Sequence, residues 1–142
     1  MRIVVNTFIP MPDGPPKTTK QAGTRIGIRR LIKTNKLKAV ENMLYLLFRS
    51  RKPRKPIKTA CKVEIHYQYP YLKGATKKQK AMDVLYKHTK PDFDNASKLF
   101  IDAINMKNDY FIDDALIADG RLIKTWSHDP GIGLKIWILT NR

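Results

Sequence analysis

Two aspartates separated by one residue, with an acidic pair further along the chain, are the residues best suited to chemistry. Asp92 and Asp94 flank Phe93, and Asp113 stands next to Asp114. In an extended segment the first two carboxylates point to the same side, where they repel each other unless a cation lies between them. The group offers oxygen donors with neither cysteine nor a histidine at ligand spacing. We therefore expect a hard divalent ion, Mg²⁺ or Mn²⁺.

Further residues stand at spacings that can complete such a site. Lys98 follows Asp94 by four residues, so one helical turn brings its ammonium toward the same carboxylates, where it could neutralise a phosphate oxygen. Adjacent side chains diverge, so at most one of Asp113 and Asp114 is a direct ligand, and Asp119 could join from the next strand. Read singly, these aspartates would be ordinary helix caps and turn residues.

The distribution of charge supports a cation site that faces a polyanion. The chain has 28 Lys+Arg and 12 Asp+Glu, a formal net charge of +16. Residues 92–119 run against this trend, because they contain seven aspartates and two lysines and carry a charge of −5. The remaining residues therefore carry +21, a balance that favours a nucleic-acid partner. The single cysteine, Cys61, excludes an internal disulfide.

Hydrophobic periodicity and turn residues predict one α+β domain over residues 1–142, with a mixed β-sheet packed by helices. The inner face of the helix after the first aspartates is expected to be Ala96, Leu99, Phe100, Ala103 and Ile104. The predicted elements are a strand over 2–8, a loop over 10–27, a helix over 36–50, a strand over 60–69, a short helical excursion within 74–86, a helix capped by Asp94 or Asn95, and strands over 121–126 and 134–140 joined as an antiparallel hairpin.

The acidic segment resembles the RusA family of Holliday-junction resolvases. The family pattern is D-x-D-N-x-x-K, then D-A-L, then D-D with a further Asp, and about a quarter of the chain carries it, residues 91–124. The matching residues are Pro91-Asp92-Phe93-Asp94-Asn95, Lys98, Asp102-Ala103-Ile104-Asn105, Asp113-Asp114 and Asp119. Two features depart from the family: an added basic stretch over 71–90, and a connection after the helix without the usual Ala-Gly turn.

The resemblance implies a RusA-like fold and a Mg²⁺-dependent crossover junction endodeoxyribonuclease. Such proteins are homodimers, often prophage-encoded, that nick two opposed strands of a four-way DNA junction in recombination and repair. The resemblance assigns Asp92, Asp94 and Asp114 as metal ligands and essential carboxylates, and Lys98 as the catalytic lysine. It places Asp113, Asp119 and Lys124 at family-like positions around them.

Three basic blocks, within 17–38, 49–58 and 73–90, predict the DNA-binding surface. Tyr45 and Tyr71 could stack on unpaired bases, although their spacing does not single them out. The candidate DNA-binding residues are Lys17, Lys20, Arg25, Arg29, Arg30, Arg51, Lys52, Arg54, Lys77 and Lys78.

Nothing in the sequence calls for a membrane span, an export signal or an organic cofactor, and we expect a cytoplasmic protein of a bacterial or phage-infected cell. Two alternatives remain open at this point. One is a non-catalytic basic nucleic-acid-binding protein whose aspartates only cap helices and turns. The other is a nuclease of other branched DNA, such as flaps or forks.

Overall fold

A computed structural model describes residues 1–17, 24–27, 30–33 and 35–142. Within these ranges no helix is long and apolar enough to cross a membrane. Short 3₁₀ turns cover Arg49–Arg51 and Asp114–Leu116. The strands and helices are β1 (Arg2–Pro10), β2 (Thr24–Gly27), β3 (Arg30–Lys33), α1 (Asn35–Phe48), β4 (Cys61–Pro70), α2 (Lys77–Lys80), β5 (Leu85–Tyr86), α3 (Phe93–Ile104), β6 (Ile117–Ser127) and β7 (Gly131–Ile138).

Residue contacts divide the chain into two compact units. The first, here called the sheet unit, comprises Met1–Pro15, Ala60–Thr89 and Ile117–Arg142. The second, the helix unit, comprises Pro16–Thr59 and Lys90–Leu116. The helix unit contains α1, α3 and the β2–β3 ladder, and the sheet unit contains the other strands and α2.

The sheet unit is built on a mixed five-stranded sheet in the order β1-β7-β4-β6-β5. The central strand β4 pairs parallel with β6 and antiparallel with β7. Alternate side chains of β4 are buried, from Cys61 and Val63 to Tyr69, which is the period-two pattern of a half-buried strand. The predicted strand, and the α+β class with a mixed sheet, are confirmed.

The predicted hairpin of the last two strands is wrong. A short turn joins β6 to β7, but β4 lies between them, so that Trp126 is opposite Tyr69 and Trp137 is opposite Lys62. At the start of β7, Gly131 lies so close to β1 that a Cβ there would be 2.4 Å from the carbonyl oxygen of Ile9. Periodicity identifies both strands, but it carries no information about which strands become neighbours.

The helix unit has an apolar core between α1 and α3. Phe48 and Phe100 meet edge to face with ring centroids 5.0 Å apart. The Tyr110 hydroxyl donates a hydrogen bond of 2.6 Å to the Phe48 carbonyl oxygen and so ties the end of α1 to the segment after α3. All five residues predicted for the inner face of α3 are buried.

Two local predictions need correction. Residues 24–27 form β2, which pairs antiparallel with β3, so the predicted loop over 10–27 is wrong in its last four residues. The helix α3 begins at Phe93, and its N-cap is Asp92, not Asp94 or Asn95. The amide of Ala96 donates to the carbonyl oxygen of Asp92 at 2.9 Å, which closes the first helical turn there.

Candidate active site

The first two candidate ligands lie at the N-terminus of α3. Asp92 has extended backbone angles as the N-cap, and Asp94 lies in the first helical turn. The idea that an extended segment points both carboxylates to one side is therefore wrong, because residues two apart do not face each other on a helix. Both carboxylates are instead stabilised by the positive end of the helix dipole. The Asp92 side chain does not cap the helix, and its Oδ1 accepts a 2.7 Å hydrogen bond from Lys90 Nζ.

One side of α3 carries a polar stripe that leads away from this terminus. Asp94, Lys98 and Asp102 follow at intervals of four residues, and such residues lie above one another on a helix. The Lys98 ammonium is 3.7 Å from Asp102 Oδ2, so it pairs with the acid after it in the chain. Lys98 is exposed and Asp102 is half-buried, and a pair of this length contributes little stability, which leaves Lys98 able to turn away from Asp102.

A turn fixed by one side chain connects α3 to the second acidic pair. Asn105 Oδ1 accepts hydrogen bonds from the backbone amides of Tyr110 at 3.2 Å and Phe111 at 2.9 Å. Asn108 has a positive φ of 54°, which asparagine tolerates better than most residues. The Ile57 amide donates to the Tyr110 carbonyl oxygen, and the Ile57 carbonyl oxygen accepts from the Ile112 amide. These two hydrogen bonds fix the backbone immediately before Asp113.

Asp113 and Asp114 perform different local tasks. Asp113 Oδ1 accepts a 2.8 Å hydrogen bond from the amide of Ala115 and so caps the 3₁₀ turn that begins at Asp114. Both aspartates line a cavity of about 440 Å³ together with Asp102 and Asn105 from the end of α3. Asp114 is thus brought together with Asp102 and Asp113, whereas Asp92 and Asp94 lie at the other end of α3, where Asp92 is about 15 Å from Asp102 along the axis.

Sequence reasoning missed Glu41, which lines the same cavity. This side chain is only 3% exposed, and it lies in α1 on the face that buries Leu37, Leu44 and Phe48. The sequence feature that could have identified Glu41 is a charged residue at helical spacing within the apolar stripe of α1. Buried glutamates are rare unless they are paired or functional.

The donor chemistry of these residues fits a hard divalent cation. All candidate ligands are carboxylates, and Mg²⁺ typically binds one or two protein carboxylates together with water and substrate phosphates. Within the described ranges, no three His, Cys, Asp or Glu side chains lie close enough together to hold a metal ion. The described side chains therefore do not form a metal cage by themselves, and Asp92 and Asp94 are separated from Asp114 by the length of α3.

The two remaining family-like positions lie on β6 in the sheet unit. Lys124 Nζ donates a 2.7 Å hydrogen bond to the carbonyl oxygen of Thr89, and its own carbonyl accepts from the Lys87 amide. Lys124 therefore holds the segment 87–89, which precedes Asp92 in the chain. Asp119 is exposed and lies opposite Lys62 of β4.

Six of the ten candidate DNA-binding residues have described side chains, and all six are exposed. Arg25 and Arg30 belong to β2 and β3, and their side chains lie outside the description, while Lys20 and Arg29 lie outside the described residues altogether. The six are Lys17, Arg51, Lys52 and Arg54 in the helix unit and Lys77 and Lys78 in the sheet unit.

A protein-family model described as Endodeoxyribonuclease RusA matches residues 8–137 of the 142. The chain belongs to the RusA endodeoxyribonuclease family. The match extends far beyond the motif at 91–124 and includes residues of both units, so the family resemblance of the acidic segment is confirmed. No curated protein matches the sequence significantly. RusA membership implies a nuclease that acts on branched DNA junctions, and nucleases of this kind generally use divalent metal ions.

Proposed function

We propose that this RusA-family protein is a Mg²⁺-dependent endonuclease that resolves Holliday junctions by paired nicks during DNA recombination or repair. The observation that carries the proposal is the family match over residues 8–137, a range that includes all the aspartates of the acidic segment. A second support is electrostatic, because the acidic segment lies within a chain of net charge +16. Such a chain attracts DNA while it keeps carboxylates available for a cation.

In this proposal Asp92, Asp94 and Asp114 would hold a divalent ion, which would supply charge stabilisation and an activated water for phosphodiester hydrolysis. Because Asp92 and Asp94 lie at the other end of α3 from the cavity of Asp114, sharing one ion requires the segment of Asp114 to approach the start of α3 when DNA binds. Mn²⁺ is expected to substitute for Mg²⁺, since both prefer oxygen ligands. Lys98, which is itself exposed, leaves its half-buried partner Asp102 and places its ammonium on a phosphate oxygen of the scissile strand. Asp113 positions Asp114 through the turn that it caps, and Lys124 positions the segment before Asp92 through Thr89.

Paired nicks on opposed strands require two symmetry-related sites, so we propose a homodimer. The family match extends through both compact units, which supports one endonuclease domain over residues 1–142. The exposed basic side chains at 17, 51, 52, 54, 77 and 78 are the proposed phosphate contacts. A cytoplasmic location follows from the same proposal, because the DNA of a bacterial or phage-infected cell is there, and a prophage origin is proposed only from the resemblance to a family that is often prophage-encoded.

Cleavage of a synthetic four-way junction tests the proposal. Wild-type protein should nick opposed strands with Mg²⁺ and not with EDTA, while Asp92→Asn and Asp114→Asn should bind the junction and fail to cut it. Asp129→Asn is the matched control, since it removes an exposed aspartate of the turn before β7 and should cut normally. Wild-type binding without cutting would favour a non-catalytic DNA-binding protein. Faster cutting of flaps or forks than of the junction would identify a different branched substrate.

A further inference from the structure

A second cavity, of about 300 Å³, lies in the sheet unit within the basic stretch that departs from the family pattern. We call it the aromatic pocket. Its volume is at the lower end of the range for small-ligand sites. Residues that line it include Tyr71, Leu72, Gly74, Gln79, Leu85 and Trp126.

The two aromatic walls of this pocket are held by their neighbours. The Lys87 ammonium lies 4.3 Å from the centroid of the Trp126 ring, and the Tyr69 ring meets the same indole at 6.3 Å. The Tyr71 ring meets His128 edge to face, with centroids 4.7 Å apart. Rigid aromatic walls lose little conformational entropy when a flat ligand stacks on them.

The remaining wall is also fixed, and its surroundings are cationic. Gln79 closes a capping box with Thr76. The backbone amide of Thr76 donates to Gln79 Oε1 at 2.9 Å, and the backbone amide of Gln79 donates to Thr76 Oγ1 at 3.1 Å. Residues 71–86 contain four lysines and one acid, Asp83. Two of these lysines, Lys77 and Lys78, are exposed on α2 and directly precede the pocket residue Gln79 in the chain.

We propose that the aromatic pocket takes an unpaired nucleobase of the DNA substrate, with the α2 lysines on the adjoining phosphates. This inference rests on the proposed action on branched DNA and deepens it. A base offers the flat face that Tyr71 and Trp126 can stack on, and the phosphates beside it match the basic segment that carries most of the pocket residues. Stacking on aromatic side chains is tolerant of sequence, so the pocket should accept any base that leaves its stack.

Equilibrium binding of two fluorescent single strands tests the proposal, an oligothymidylate and an abasic strand of the same length and charge. Wild-type protein should bind the oligothymidylate about tenfold more tightly, because only that strand can stack. Tyr71→Ala should remove the difference and leave the abasic affinity unchanged. Gly74→Phe should also weaken the preference, because Gly74 lines the pocket and a Cβ there meets nothing within 4 Å, which leaves room for a ring at the pocket wall. Tyr86→Ala is the matched control, because Tyr86 is an exposed tyrosine of the same segment.

Equal affinity of wild-type protein for the two strands would overturn the base pocket, as would an undiminished preference in both pocket variants. Tyr71→Ala could also dissociate an oligomer and leave the preference for bases intact. That result would assign the pocket to a contact between proteins, and it would overturn the base pocket as well. Junction cleavage, measured in parallel, separates this inference from the proposed function. Cleavage without base preference refutes only the pocket, and base preference without cleavage refutes only the nuclease.

Discussion

Replacement of Asn105 by alanine should destabilise the helix unit and displace the second acidic pair. Asn105 Oδ1 accepts from the amides of Tyr110 and Phe111, two residues that are fully buried. A buried donor left without its partner costs about 1–3 kcal/mol, so two such donors predict a loss of about 2–6 kcal/mol in the free energy of unfolding. For a chain of this size the loss corresponds to a fall in melting temperature of roughly 8–24 °C.

Urea denaturation followed by far-UV circular dichroism measures this loss, because both tryptophans lie in the sheet unit and the helices α1 and α3 dominate the dichroism signal. Asn105→Asp is the control, since an aspartate oxygen can accept both hydrogen bonds and should retain most of the stability. At a temperature where the alanine variant is still folded, its junction nicking rate should also fall, because the same turn leads to Asp113 and Asp114. The reasoning is refuted if Asn105→Ala unfolds at the same urea concentration as the wild-type protein.

Three further predictions concern the sheet unit and the DNA. Gly131→Ala should lower the free energy of unfolding by about 1–3 kcal/mol, because the new Cβ would lie 2.4 Å from the Ile9 carbonyl oxygen. Gly74→Ala is the control and should change that free energy by less than about 0.5 kcal/mol. Equal losses in the two variants would contradict the prediction. Burial lowers the pKa of His66 below its usual 6.5, so the neutral ring is favoured in the fold. Stability should therefore decline as pH falls from 6.5 through the folded pKa, and melting curves of His66→Gln should lack this component. If about six basic side chains contact phosphates, log affinity for DNA should fall against log salt with a slope of about −5, and a slope near zero would exclude a phosphate-based surface.

The sequence predicted the local elements around the acidic segment more reliably than their mutual positions. All five inward residues of α3 are buried, because helical periodicity directly encodes which side of a helix is apolar. The start of α3 was misjudged because Asp92, Asp94 and Asn95 are all good caps, and only the hydrogen bond of Ala96 to Asp92 decides between them.

Strand order and the acidic cavity depend on contacts between distant residues, which periodicity does not encode. Placement of β4 between β6 and β7 depends on the register of Tyr69 with Trp126 and of Lys62 with Trp137. Glu41 lines the cavity of Asp114 from another helix, and its only local signal was an acid within an apolar stripe. The residue types of the candidate site were therefore readable from the sequence, but their grouping was not.

The central claim is that Asp92 and Asp94 come to share one divalent ion with Asp114 when junction DNA binds, and iron-directed cleavage of the polypeptide tests it most directly. Fe²⁺ bound in place of Mg²⁺ reduces added hydrogen peroxide to hydroxide and a hydroxyl radical, which cuts the backbone close to the ion, and ascorbate reduces the resulting Fe³⁺ again. With junction DNA present, the account predicts cuts both at residues 92–94 and near 113–114, each suppressed by excess Mg²⁺ and by Asp94→Asn. Cuts confined to one of these two segments, or cuts that survive in Asp94→Asn, would contradict a shared ion.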